Sequence, residues 1–169
     1  LMGNHDDKLM RKLMGRNVTI AHGLAETLQQ LAREPLTFVD DLLDFLTGLS
    51  TYQVLDEGEL IVTHAAIRES IIGKWSNNIR AFTMYGDATG EYDDFGLPIR
   101  RDWAPEYSGE ALVIYGHTPV REPSWVNNTI DIDTGCVFGG SLTALRYPEN
   151  ELVSIPARKT YFARAGGIR

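Results

Sequence analysis

Leu112-Val113-Ile114-Tyr115-Gly116-His117-Thr118-Pro119 decides the fold. Four apolar residues in unbroken succession, stopped by glycine and proline, fit a short strand covered on both faces of a sheet. The histidine is then held at the strand's tip. Leu60-Ile61-Val62-Thr63-His64-Ala65-Ala66 repeats the arrangement, and Gly3-Asn4-His5-Asp6 follows the apolar pair Leu1-Met2 in the same way. Three of the chain's four histidines therefore fall at predicted strand ends. The ends of neighbouring strands bring residues distant in sequence to one edge of a sheet. Neutral imidazoles with an amide or carboxylate oxygen are ligands that Mn, Fe or Zn accept. His22, inside Ala21-His22-Gly23, follows no central strand, and no site role is read from it.

Around these motifs the pattern alternates between helix and strand. Residues 8–14 read as a short helix closed by Gly15, with Asp6 or Asp7 placed to accept from its first backbone N–H groups. Residues 21–33 and 38–49 show an apolar period of 3.6, separated by Pro35, and form an acidic helical insert at about 21–50. Short apolar runs follow at 53–55, 59–63, 111–115, 129–131, 141–146 and 151–155, the last two read as a hairpin. The stretch from 67 to 109, rich in Asp, Gly, Trp and Tyr, reads as a long loop with one helix near 78–85. Loops of that length are usually functional. Residues 1–157 are expected to be the C-terminal part of one domain, and 158–169 a polar tail or linker. The opening, with a polar motif after only two apolar residues, reads as a strand cut near its end.

Bulk properties narrow the classes. At 169 residues, 43% hydrophobic and 23% charged, the chain can bury a sizeable core. No run is long enough to span a bilayer and no signal pattern opens it, so a soluble, cytoplasmic protein without a membrane partner is expected. One cysteine, Cys136, leaves neither an internal disulfide nor a thiolate cluster, so any metal is held by N and O ligands. A net charge of -7 argues against a nonspecific nucleic-acid binder.

In order along the chain stand Gly3-Asn4-His5-Asp6, His64-Ala65-Ala66, Gly116-His117-Thr118-Pro119 and Ile130-Asp131-Ile132-Asp133-Thr134-Gly135-Cys136-Val137-Phe138-Gly139-Gly140. This order resembles the calcineurin-like binuclear metallophosphoesterases. A finer resemblance is to the phosphatase module of bacterial polynucleotide kinase-phosphatases. It rests on His22-Gly23-Leu24-Ala25-Glu26-Thr27, Tyr85-Gly86-Asp87-Ala88-Thr89-Gly90 and Gly96-Leu97-Pro98.

The resemblance implies an α/β fold, a two-sheet sandwich flanked by helices, of which this chain supplies the later strands. It implies two divalent metal ions, with manganese expected, and only the ligands of the second metal lie here: Asn4, His64 and His117. His5 is implied as general acid or phosphate donor, and Asp133 as a residue that orients a ligand or contacts the site. The family's first metal-binding strands are missing, so the expected partners include an N-terminal half of the same domain. The expected activity is hydrolysis of 2'-, 3'- or 2',3'-cyclic phosphates at RNA ends, with kinase and ligase domains on the same polypeptide. Dinucleoside tetraphosphatase and serine/threonine protein phosphatase are the alternatives within the class, and a non-catalytic scaffold is the alternative outside it.

Plainer roles stand beside these. Asn4 and Asp6 also suit helix capping, Asp133 suits a turn before Thr134-Gly135, and Cys136 suits a small buried hydrophobe. Arg100, Arg101 and Arg121 suit solvated surface as well as a phosphate, and Trp75, Trp103 and Trp125 suit packing as well as base stacking.

Overall fold

The structure is a computed structural model that describes residues 1–163. It divides into two compact units, Leu1–Thr51 and Tyr52–Arg169.

The first unit holds three helices, α1 (Asn4–Leu13), α2 (Leu24–Leu31) and α3 (Leu36–Thr47). Helix α1 begins earlier than the sequence pattern predicts. Gly3 is its N-cap, and the Asp6 carboxylate reaches back to accept the Gly3 N–H at 2.9 Å. Asn4 and His5 thus occupy a first helical turn. Helix α2 is shorter than its apolar period because His22 and Gly23 both have positive φ, +56° and +85°, which no helix accommodates. The Met2 N–H donates to the Ser50 carbonyl at 2.8 Å, tying the two ends of the unit together. Met2, Leu24 and Leu46 are buried. The helical segment expected over 21–50 therefore belongs with α1 in one unit.

The second unit is built on a five-stranded sheet in the order β1 (Tyr52–Leu55), β2 (Leu60–Thr63), β5 (Leu112–Tyr115), β7 (Thr129–Asp131), β6 (Trp125–Val126). The inner strands β2, β5 and β7 run parallel, and β1 and β6 are antiparallel edges. Ile61 pairs with Val113, and Ile114 with Ile130. Alternation sends the two pairs to opposite faces. Ile61 and Val113 pack with Ala66, Ile67, Trp103 and Tyr107; Ile114 and Ile130 pack with Leu60, against Leu145 and Tyr147. Leu145 comes from β8 (Ser141–Arg146), which pairs with β9 (Glu151–Pro156) as a separate hairpin.

The fold is thus α/β, as expected. The predicted long loop is not structureless, however. After α4 (Asn77–Tyr85), β3 (Asp87–Tyr92) and β4 (Pro98–Arg101) form a hairpin. Glycines 86, 90 and 96 all adopt positive φ there, so they serve backbone turns that other residues resist. Of the tail expected over 158–169, residues 164–169 lie outside the described residues. Among the described residues, no helix is long and apolar enough to cross a membrane.

Ile130 is fully buried where the inner strands meet the second core cluster. Ile130→Ala should lower stability by about 3 kcal/mol, the usual cost of such a cavity. Urea unfolding of the two proteins checks it, and a loss under about 1 kcal/mol would contradict this account of the core.

Candidate metal centre

Strands β2 and β5 are adjacent and parallel, so their C-terminal ends lie side by side. His64 follows β2 and His117 follows β5 by two residues. The imidazole nitrogens His64 Nε2 and His117 Nδ1 stand 3.0 Å apart, with the rings edge-on at a centroid separation of 4.8 Å. The Tyr85 ring meets His117 edge-on as well.

Both histidine turns are fixed by their backbones. The Gly116 N–H donates to the His64 carbonyl at 3.0 Å, Ala65 N–H to the Thr83 carbonyl at 2.8 Å, and the Trp103 indole N–H to the Ala65 carbonyl at 3.0 Å. Trp103 is accordingly a packing residue. His117 has φ +76°, a conformation costly for a side chain with a Cβ and one that gathers at functional sites. Gly116 cannot be replaced cheaply, because a Cβ there would lie 2.9 Å from the Asp133 Cβ.

Asp133 belongs to this framework. Its carbonyl accepts the Val120 N–H at 2.9 Å, closing the loop after His117, and its carboxylate accepts the Gly135 N–H at 3.1 Å. Gly140 lies so close to the Thr134 carbonyl that any side chain would collide with it. Gly140 thus lets the chain pass close against the Thr134 turn.

Beside His117 opens a cleft of about 250 Å³, lined also by Arg100, Asp102, Trp103, Tyr115 and Asp131. Asp131 is a residue that sequence reasoning left without a role. Its position beside Ile130 in an apolar strand, facing the opposite side, was the available signal. Burial pushes its carboxyl up to about 7; the Asp133 N–H, donating at 2.8 Å, opposes this, while Asp133 and Asp102 add to it. Burial, with the charges of Asp131 and Asp102, raises Tyr115 to about 12. Of the arginines that suit surface as well as a phosphate, Arg100 donates to the Tyr85 and Pro98 carbonyls, and Arg101 lies 3.6 Å from Asp87.

His64 and His117 fit part of a metal centre. Both offer nitrogen donors, and with metal–nitrogen bonds of about 2.0–2.1 Å two ligands of one cation sit at about the spacing observed. Among the described residues, no group of three or more His, Cys, Asp or Glu is placed to hold a metal ion. In the first unit, His5 stands on α1 with its ring only partly shielded from solvent. That partial desolvation first, then Lys8 and His22, lower its pKa, while Asp6 opposes them.

A parallel-stranded α/β sheet that carries histidines at its strand tips is the architecture of the metallophosphoesterases, a class that implies divalent cations. A crystal structure assigned as a diadenosine tetraphosphatase superposes with a TM-score of 0.64 at 24% identity, covering 93% of this chain and 67% of that one. The chain belongs to the family of the asymmetrical bis(5'-nucleosyl)-tetraphosphatases PrpE. It is 50% identical to the PrpE of Anoxybacillus flavithermus over 165 residues, which are 95% of this chain and 67% of the relative. It is 51% identical to that of Bacillus cereus and 47% to that of Geobacillus thermodenitrificans, each over 92% of this chain and 65% of the relative. The chain thus spans about two thirds of the length of these curated relatives. A scan against models of known protein families finds no match.

These relatives are hydrolases, in keeping with the enzyme class expected. They overturn the RNA-repair reading and with it the RNA-end substrate. They also overturn the kinase and ligase neighbours: with 165 residues making 67% of its length, the first relative is about 250 residues long, too short for three such domains at roughly 100–150 residues each. Part of the motif set that carried the finer resemblance, Gly86 to Gly90 and Gly96-Leu97-Pro98, is the turn chemistry of the β3–β4 hairpin and marks no substrate.

The Asp131 carboxyl holds its proton to about pH 7 in the folded protein, against an ordinary aspartate value of 3.8. The folded state therefore binds more protons across that window, and stability falls as pH rises through it. Asp131→Asn keeps an acceptor for the Asp133 N–H and removes this slope. Relative to wild type, the variant should gain on the order of 2–4 kcal/mol between about pH 4 and pH 8, measured by urea unfolding at each pH. Parallel pH profiles would contradict it.

Proposed function

We propose that the intact protein hydrolyses dinucleoside tetraphosphates asymmetrically, releasing a nucleoside monophosphate and a nucleoside triphosphate. The observation that carries this reading is the convergence of His64 and His117 to 3.0 Å in a chain half identical to tetraphosphatases over nearly its whole length. The same likeness leaves no ground for the scaffold alternative, and nothing favours a phosphoprotein substrate.

In this reading His64 and His117 hold a divalent cation, manganese being the ion we would test first. Divalent cations neutralise charge on the phosphate under attack and lower the pKa of the water that attacks it. The protein's own residues do the rest. His64 and His117 are kept from turning by the carbonyl and ring contacts of their loops, so little is lost in ordering them when substrate arrives. Asp133 acts as a positioning residue, holding the His117 loop through Val120 N–H. A cytoplasmic location suits a nucleotide substrate.

Diadenosine tetraphosphate incubated with the intact protein and Mn²⁺ should yield ATP and AMP, separated by anion-exchange chromatography. A phosphopeptide should be turned over far more slowly. His64→Ala and His117→Ala should each reduce kcat/KM by about 100-fold or more while melting near the wild-type temperature. Two folded variants with near wild-type activity would remove these histidines from the site.

A further inference from the structure

Asp131 lines the cleft beside His117 and has no part in the hydrolysis as described so far. It stands in register with Tyr115 at the C-terminal ends of β7 and β5, the edge outside which open parallel sheets bind ligands. Only 7% of its surface is exposed. Among the described residues its Oδ1 accepts the Asp133 N–H at 2.8 Å, Oδ2 takes no hydrogen bond, and no Lys or Arg pairs with it. An asparagine would accept the same N–H without the cost of burying a charge. The fold thus makes no use of the second carboxylate oxygen, which is left to whatever enters the cleft.

The lining selects the chemistry of that group. Asp102 joins Asp131 there, while Arg100 is committed to the Tyr85 and Pro98 carbonyls and Arg101 faces Asp87. A phosphate would meet carboxylates, whereas hydroxyl groups would meet acceptors. Trp103 and Tyr115, with ring centroids 4.8 Å apart, give the cleft an apolar wall. Its volume of about 250 Å³ falls below the roughly 300–1,000 Å³ of pockets that enclose a whole drug-sized ligand, and suits a single ring with polar edges. His117 lines the same cleft, so that ring would lie beside the proposed cation. Release of a monophosphate breaks the link between the first and second phosphates of one nucleotide, and the ribose of that nucleotide is then at most one phosphate from the bond that breaks. We infer that the Asp131 carboxylate accepts hydrogen bonds from the ribose hydroxyls of the nucleotide released as the monophosphate, so that it is held by its sugar as well as by its phosphate. This inference rests on the tetraphosphatase reading for the choice of nucleotide, and on the cleft for the sugar.

Calorimetric binding of AMP and of its 2',3'-dideoxy analogue to the intact protein with Mn²⁺ tests it, at pH 8, where the Asp131 carboxyl is ionised. Wild type should bind AMP about 10-fold more tightly than the analogue, the worth of one hydrogen bond to a charged group. Asp131→Asn keeps an acceptor for the Asp133 N–H and turns an uncharged amide to the cleft. It should shrink the ratio to about 3-fold or less, since a neutral hydrogen bond is roughly half as strong. A carboxylate with a purely structural role would leave the ratio between the two ligands unmoved. Equal binding of both by wild type, binding of neither, or a folded variant that keeps the full ratio overturns the inference. A protein that leaves diadenosine tetraphosphate uncut but tells the two monophosphates apart through Asp131 keeps the sugar seat and rejects the tetraphosphatase reading.

Discussion

The hydrogen bond from the Gly116 N–H to the His64 carbonyl, 3.0 Å long, is the contact on which the candidate centre depends. It exists because β2 and β5 are parallel neighbours with Ile61 opposite Val113, so the residues after both strands leave the sheet at one edge. Gly116 can approach because it has no side chain, and Asp133 fills the space where a Cβ would be. Slipping the register by one residue would exchange the two faces of the sheet. Ile61 and Val113 would leave their cluster, and the two histidines would part. Burial of a few aliphatic side chains thus sets the distance between two imidazoles.

Charge is arranged in the same economical way. The chain is acidic overall, which keeps it from binding polyanions indiscriminately. The arginines near the cleft are committed to backbone carbonyls or to Asp87. In the reading proposed, attraction for a phosphate chain then comes from bound cations. A substrate with several phosphates gains more from this than a monoester does.

The histidines at the strand tips were legible in the sequence because a fully covered strand leaves an unbroken apolar run, and a polar tip after it stands out. His64 and His117 come from such runs and do meet. At Gly3-Asn4-His5-Asp6 the helix start was hidden: the polar run looks like a loop before a helix at 8–14, whereas Asn4 and His5 already form a helical turn under the Gly3 cap. The β3–β4 hairpin was hidden because its strands are polar and interrupted by glycines, with no alternating apolar face to reveal them. Asp131 was hidden by its apolar neighbours. The substrate was not legible for a different reason. No residue pattern in the acidic helical segment over 21–50 names a substrate, whereas the match to those relatives runs over 95% of the chain.

The central claim is that His64 and His117 share one divalent cation. Its most direct measurement is the proton relaxation of the two imidazoles in the intact protein during titration with Mn²⁺, a paramagnetic ion whose broadening falls off steeply with distance. The ring resonances of His64 and His117 should broaden together at the first additions of metal, and His64→Ala should abolish the effect at His117. Simultaneous persistence of both sharp signals, with Mn²⁺ broadening other residues first, would contradict it.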